Sequence, residues 1–144
     1  MCGISGCIHN NKLILSNKDF NLLNNRLIKR GPDNQEIVEL KNQKFNIKLG
    51  HTRLSIQDLS MNANQPMFSE DKRFVIVFNG EIYNHIELRN KIAELSTVQW
   101  KTRCDTESLL NLIINLGLIN TLKIIEGMFA FVLYDKLNNN LYLV

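Results

Sequence analysis

The sequence predicts one layered α+β domain, and three observations carry that expectation. Residues 74–78, Phe-Val-Ile-Val-Phe, are apolar without interruption, the pattern of a strand covered on both faces. Residues 128–134 and 141–144 read as two strands of a hairpin around Asn138-Asn139-Asn140. Segments of helical spacing fall between such hairpins and do not alternate strictly with strands, which favours α+β layers over a βαβ series.

Residues 4–8 alternate weakly and suit a strand buried on one or both faces. Asn10-Asn11 signals a turn, after which residues 13–15 suit a short returning strand. Ser16 or Asn17 caps a helix with Phe20, Leu23, Leu27 and Ile28 as its apolar positions. That helix stops before Gly31-Pro32, because proline restricts the residue ahead of it and glycine breaks the helix. Arg30-Gly31-Pro32-Asp33 is therefore a loop. Strands are expected at residues 36–40 and 45–49, joined by the polar residues 41–44. Polar and apolar residues alternate imperfectly from Gly50 to Ile56, and residues 61–67 form a loop holding Asn64-Gln65-Pro66-Met67.

The 74–78 strand runs into Asn79-Gly80, a turn dipeptide. Asn84 with Glu87 resembles a capping box, opening a helix with Ile86, Ile92 and Leu95 turned inward. Asp105 or Thr106 starts the next helix, which carries Leu109, Leu110, Ile113 and Ile114 and ends at Gly117. A short helix through Leu122 and Ile125 precedes Gly127.

At 144 residues there is room for one domain with a real core. The 44% hydrophobic and 22% charged content is ordinary for a globular chain. A net charge of +3 with scattered basic residues leaves no nucleic-acid footprint. Three cysteines form no even disulfide framework, and Asn10, Asn11 and Lys12 interrupt any secretory core. No apolar run approaches the roughly 20 residues of a membrane span. The expected location is a reducing cytoplasm, with neither membrane nor nucleic acid as partner. Residues 141–144 read as a strand still running, so residues 1–144 are expected to be one domain, incomplete at its C-terminus.

The candidate chemistry centres on Met1-Cys2-Gly3-Ile4. Cysteine is small enough for the Met before it to be trimmed, leaving Cys2 with a free α-amine a few atoms from its thiol. Ordinary pKa values are roughly 7.7–8.0 for such an amine and 8.5 for a thiol, so one can relay the other's proton. A nucleophile beside a base is what covalent catalysis requires. A metal site at Cys2, Cys7 and His9 lacks the paired Cys-x-x-Cys form and a second cluster.

Six blocks occur in one order: Met1-Cys2-Gly3-Ile4, Arg30-Gly31-Pro32-Asp33, Gly50-His51-Thr52-Arg53, Arg53-Leu54-Ser55-Ile56, Asn79-Gly80-Glu81-Ile82-Tyr83-Asn84 and Gly127-Met128-Phe129-Ala130-Phe131. Together they resemble the glutaminase domain of glutamine-hydrolysing asparagine synthetases, class II glutamine amidotransferases of the N-terminal-nucleophile (Ntn) hydrolase type. The resemblance covers nearly the whole chain. It implies a four-layer αββα fold with two stacked, mostly antiparallel sheets flanked by helices. Cys2 would attack the side-chain amide of L-glutamine and form a thioester. Asn79, by its side chain, and Gly80, by its N–H, would form the oxyanion hole. Arg53 would bind the α-carboxylate, Glu81 and Asp105 the α-ammonium, and the backbone of Leu54, Ser55 and Ile56 would line the pocket. No cofactor or metal is implied for this chain. ATP and Mg²⁺ belong to a covalently linked synthetase domain that amidates aspartate, and its Ser-Gly-Gly-x-Asp-Ser loop has no counterpart here. A homodimer is left open.

The chemistry of these residue types agrees with the implied roles. A tetrahedral oxyanion needs fixed donors. A planar guanidinium matches a carboxylate in two parallel hydrogen bonds. An ammonium needs negative charge beside it, and Asp105 at a helix start also sits where negative charge is favoured. Each residue has a plainer role open to it: Asp105 as a cap, Arg53 as an ion-pair partner, Asn79-Gly80 as a turn. His51 suits packing or hydrogen bonding, Arg30 and Asp33 suit tying a loop, and Gln65-Pro66-Met67 and residues 127–131 read as structural. Lys29 and Thr52 depart from the family's usual residues at positions with no assigned chemistry. Two other functions fit the chain: a class II amidotransferase with a sugar or cell-surface precursor as acceptor, and a non-catalytic domain retaining the fold.

Overall fold

The computed structural model describes residues 1–10, 15–41 and 45–144. It contains two antiparallel sheets. The first has strand order β1–β3–β2, from β1 (Gly3–Asn10), β2 (Asn34–Lys41) and β3 (Phe45–Arg53). The second has order β4–β5–β6–β7, from β4 (Met67–Phe68), β5 (Phe74–Ile82), β6 (Gly127–Asp135) and β7 (Asn140–Leu143). Four helices accompany them among the described residues: α1 (Asn17–Asn25), α2 (His85–Leu95), α3 (Asp105–Leu116) and α4 (Leu118–Leu122).

Strand β5 joins the layers because both its faces are apolar. Successive side chains on a strand point to opposite sides. Val75 and Val77 pack with Leu40, Ile47, Leu49 and Tyr134 between the sheets. Ile76, Phe78 and Ile82 pack on the other side with Leu88, Ile92, Leu109 and Ile113 of α2 and α3. Helix α1 covers the outer face of the first sheet, where Phe20 is buried and Asn24 Oδ1 accepts the Ser5 hydroxyl at 2.8 Å. The layers thus run helix, sheet, sheet, helix, the αββα order expected.

Most elements stand where the sequence puts them, and the departures have physical causes. Asn79-Gly80 is not a turn: β5 runs through it, paired to β6 from Phe74↔Asp135 to Ile82↔Gly127. Nine residues of ladder override the local turn preference. A Cβ on Gly80 would lie 2.5 Å from Phe129 Cα, so this glycine serves a close approach of two strands. Asn84 makes no side-chain cap on α2. Its amide instead donates to Ile124 O at 2.9 Å and accepts Glu126 N–H at 3.0 Å, tying α2 to the start of β6. Leu23, Ile86 and Ile114 face solvent at 53%, 57% and 44% exposure, because Phe20, Leu88 with Ile92, and Leu109 with Ile113 already fill the inward stripes. Ser16 caps α1 as expected, accepting Asp19 N–H at 3.1 Å. The returning strand at residues 13–15 falls at Leu13 and Ile14 outside the described residues, as do positions 42–44 of the β2–β3 connection and the Leu95 side chain.

The space between the sheets is apolar at one end and polar at the other. Ile47 and Leu49 of β3 point into it, and alternation turns His51 and Arg53 the same way. His51 is fully buried, and its Nε2–H donates to Phe78 O across the sheets at 3.1 Å. A carbonyl only accepts, so Nε2 carries the proton and Nδ1 is the bare nitrogen. Burial, aided by the Arg53 charge, lowers the His51 pKa from 6.5 to about 4, against the pull of the Phe78 hydrogen bond. The ring is neutral near pH 7, and its one hydrogen bond links the two sheets. A histidine with a depressed native pKa contributes stability above its unfolded pKa and loses it as pH falls through the native value. Acidification from 6.5 to about 4 should therefore erode stability through His51. His51→Phe should be less stable near neutrality yet show a flatter slope over that window. Urea unfolding at two pH values checks this, and an unchanged slope would assign the titration to another group.

Candidate active site

The polar end of the sandwich collects the chemistry, and alternation explains why. Ile4 of β1 pairs with His51 and shares its inward face. Cys2, two residues earlier, falls on that face too, as does Arg53. On the opposite sheet Asn79 and Glu81 follow Val75 and Val77 inward. A cavity of about 130 Å³ opens there, lined by Cys2, Arg53, Leu54, Ile56, Gly80, Glu81 and Asp105 among others. Seven of the nine residues singled out from sequence thus share one cavity. Ser55 and Asn79 stand outside its lining.

The nucleophile segment is tied at several points. Cys2 Sγ accepts Leu54 N–H at 3.4 Å and donates toward Leu54 O at 3.8 Å. Arg30 Nε–H holds the Cys2 carbonyl at 3.0 Å. Asp33 Oδ2 accepts Ser55 N–H at 2.7 Å, and Asp33 N–H donates to Arg53 O at 3.0 Å. Gly31 lets this loop press onto β3, since a Cβ there would stand 2.5 Å from the Arg53 carbonyl carbon. Arg30 and Asp33 accordingly tie a loop: they fix Cys2 against residues 53–55.

The edge of β5 supplies the donors. Backbone groups of a paired strand point alternately to its two sides. Tyr83 N–H bonds Glu126 O at 2.7 Å, which assigns the odd residues to the β6 side and the even ones to the other. There β4 pairs only with Val75 and Ile76. Past β4, side chains stand in for a strand. Gln65 Oε1 accepts Phe78 N–H at 2.6 Å, and Asp105 Oδ2 accepts Ile82 N–H at 3.0 Å. Gly80 lies midway, and alternation turns its N–H to the same edge. The neighbouring Asn79 Oδ1 is buried and receives no hydrogen bond among the described residues.

Charge is arranged around this edge. Arg53, buried, spends three of its five N–H donors on the loop ahead of it: Nη1 on Ser60 O at 2.8 Å and Asn64 Oδ1 at 2.6 Å, Nη2 on Asp58 O. Nε–H and one Nη2–H remain. Asp105 occupies the first turn of α3, with Cys104 as the capping residue. Burial raises its pKa above 3.8 and the Glu81 charge adds to the rise, against the N–H groups of Ile82 and Thr106. A buried carboxylate beside another, with no salt bridge to it among the described residues, is a site where an ammonium would be stabilised.

Several lining residues escaped the sequence reading. Gln57 Oε1 accepts Asp105 N–H at 3.1 Å, and Asp58 Oδ2 accepts Arg103 N–H at 2.7 Å. The Ser60 side chain, the N–H groups of Arg103 and Ser60 and the Arg53 charge hold the Asp58 carboxyl at about 2, against its desolvation. Gln65 and Thr106 also line the cavity. The available signal was the density of polar residues at 55–58 and 64–65 directly behind the Gly-His-x-Arg block.

A family model described as a glutamine amidotransferase domain matches residues 1–144. The chain is 39% identical over 117 residues to the glutamine-hydrolysing asparagine synthetase of Triphysaria versicolor, covering 81% of this chain and 18% of that protein. Against the glutamine-hydrolysing asparagine synthetase 1 of Bacillus subtilis it is 35% identical over 145 residues, covering 99% and 22%. The chain therefore spans about a fifth of the length of these relatives. In fold it is similar to the glutamine phosphoribosylpyrophosphate amidotransferase of B. subtilis, with a TM-score of 0.52 at 23% identity over 62% of this chain and 21% of that one. With the whole chain matched and the Cys2 cavity built from the matching blocks, the chain belongs to the family of glutamine amidotransferase domains.

Proposed function

We propose that the chain hydrolyses L-glutamine to glutamate and ammonia through a thioester on Cys2. The observation that supports this is that Gly80, on the β5 edge between the Phe78 and Ile82 amides held by Gln65 and Asp105, lines the same cavity as Cys2. A nucleophile facing an open backbone donor is what acyl transfer from an amide needs. Met1 lines that cavity ahead of Cys2, and its removal frees the α-amine. The amine takes the thiol proton, and the thiolate attacks the side-chain carbonyl carbon of glutamine. The developing oxyanion is met by Gly80 N–H and the Asn79 amide N–H. As the C–N bond breaks, the proton passes to the leaving nitrogen and ammonia departs. Water then cleaves the thioester, giving glutamate and restoring the thiol.

Recognition of the zwitterion falls to the groups around this centre. The two remaining donors of Arg53 suit the α-carboxylate, and Asp105 with Glu81 suits the α-ammonium. Leu54 and Ile56 line the walls, while Ser55 acts through its bond to Asp33. In the whole protein the ammonia would amidate aspartate to asparagine. That step needs an activated carboxylate, hence ATP and Mg²⁺, which we assign to a covalently linked synthetase domain. A cytoplasmic setting suits a working thiol. Among the described residues no helix is long and apolar enough to cross a membrane.

Cys2→Ala should abolish glutamine hydrolysis with the fold intact, while Cys7→Ser, on the outer face of β1, should leave the rate near that of the parent. Glutamate release by Cys2→Ala at the parent rate would overturn the mechanism. A tag fused directly ahead of Cys2, or retained Met1, should leave the chain inactive; full activity of the tagged form would remove the α-amine from the proton relay. Glutamine binding should weaken as pH is lowered through the raised pKa of Asp105, because the ammonium needs the ionised carboxylate. Asp105→Asn should lose about 1–3 kcal/mol of affinity and that pH dependence with it. KM for glutamine and for an analogue lacking the α-amine, followed against pH, tests this. Equal losses on both substrates would make Asp105 a helix-start residue only.

A further inference from the structure

We propose that Asn64 and Gln65 are positioning residues that set the two ends of the glutamine site separately. Asn64 sets the α-carboxylate end through Arg53, and Gln65 sets the reacting end through β5. The proposal rests on the roles assigned above to Cys2, Arg53 and Gly80.

The two residues follow the 3₁₀ turn Met61–Ala63, and Asn64 is extended, with φ −66° and ψ 153°. Extended backbone sends consecutive side chains to opposite sides. Asn64 Oδ1 accepts Arg53 Nη1–H at 2.6 Å, and its Nδ2–H donates to Glu36 Oε1 on β2 at 3.0 Å. A cation on one side and a carboxylate on the other leave a single orientation for this amide. The guanidinium is therefore held by a fixed acceptor, itself anchored to the first sheet. Two further contacts, Ser60 O and Asp58 O, belong to the loop between Arg53 and Asn64. Without Asn64 that loop alone would orient the guanidinium.

Gln65 is buried and points the other way. Its Oε1 takes the Phe78 N–H at 2.6 Å, and its Nε2–H donates to Thr106 Oγ1 at 3.1 Å. Phe78 is two residues before Gly80 on the same edge, and Thr106 follows Asp105. One amide thus sets the spacing between the strand that carries the oxyanion donor and the helix that carries the ammonium partner. It takes the place a longer β4 would occupy, and a longer β4 would close the cavity. Donor alignment matters to the transition state and little to the ground state, so the two neighbours should differ in which kinetic constant they control.

The test uses the whole polypeptide that contains residues 1–144. Asn64→Ala, Gln65→Met and Thr106→Val are compared with the parent for kcat and KM on glutamine, and for KM on an analogue lacking the α-carboxylate. Alkylation of Cys2 by iodoacetamide, read on the N-terminal peptide, is measured alongside, because that displacement forms no oxyanion. Asn64→Ala should raise KM for glutamine about tenfold with kcat little changed, and should not affect the analogue. Gln65→Met should lower kcat by about tenfold or more with KM and alkylation little changed. Thr106→Val should show a smaller loss of the same kind. If Gln65→Met fails to fold, Gln65→Glu, which keeps the acceptor for Phe78 N–H, and Thr106→Val carry the comparison. The proposal is overturned if both neighbours change the same constant, if Asn64→Ala loses equally on both substrates, or if alkylation falls in step with turnover. A Cys2→Ala protein that still hydrolyses glutamine would instead overturn the underlying functional reading.

Discussion

The structure depends on how short β4 is. A sheet edge carries a row of backbone donors and acceptors that must find partners. Two residues of β4 satisfy only the first part of the β5 edge. The rest is met by side chains reaching in from a loop and a helix, Gln65 and Asp105, with a gap at Gly80. A full strand there would be simpler to fold and would leave no room for a substrate. The cavity opens beside the uncovered edge, and Gln65 and Asp105, which meet that edge in place of a strand, are among its walls.

That arrangement also accounts for the division of the sandwich. Where the sheets are joined by Val75, Val77, Ile47 and Leu49 there is nothing polar to satisfy. Two steps along the same strands, the inward positions become His51, Arg53, Asn79 and Glu81. His51 marks the border: it is buried like a core residue, yet its one bond crosses between the sheets to Phe78 O. The charged groups beyond it are held by many short, local tethers. Arg53 is held by the loop that follows it, while Asp105 is tied to Ile82 and Gln57 from segments remote in sequence, so the site forms only once these elements have packed.

Much of this was legible in the chain itself. The 74–78 run announced a strand buried on both faces, and the blocks holding Cys2, Arg53 and Gly80, with Asp105 at its helix start, marked residues that line one cavity. What escaped notice is long-range. Asn79-Gly80 has the composition of a turn, and only pairing with β6 decides otherwise. Asn84 and Glu87 have the spacing of a capping box, but the Asn84 amide is drawn to Ile124 and Glu126, some 40 residues on. Gln57 and Gln65 look like ordinary loop residues, because their partners on α3 and β5 cannot be read from neighbouring sequence.

The gap at Gly80 has a consequence for how the empty domain behaves. Gly80 lines the open cavity, while the amide hydrogens of Phe78 and Ile82, two residues to either side, are locked onto protein acceptors. Solvent exchange along β5 therefore should not fall smoothly from a rigid centre to a frayed end. It should be slow, then fast at one position, then slow again. A bound acyl group would take the Gly80 hydrogen out of contact with water, so one backbone amide reports occupancy of the site without any chemical step being followed.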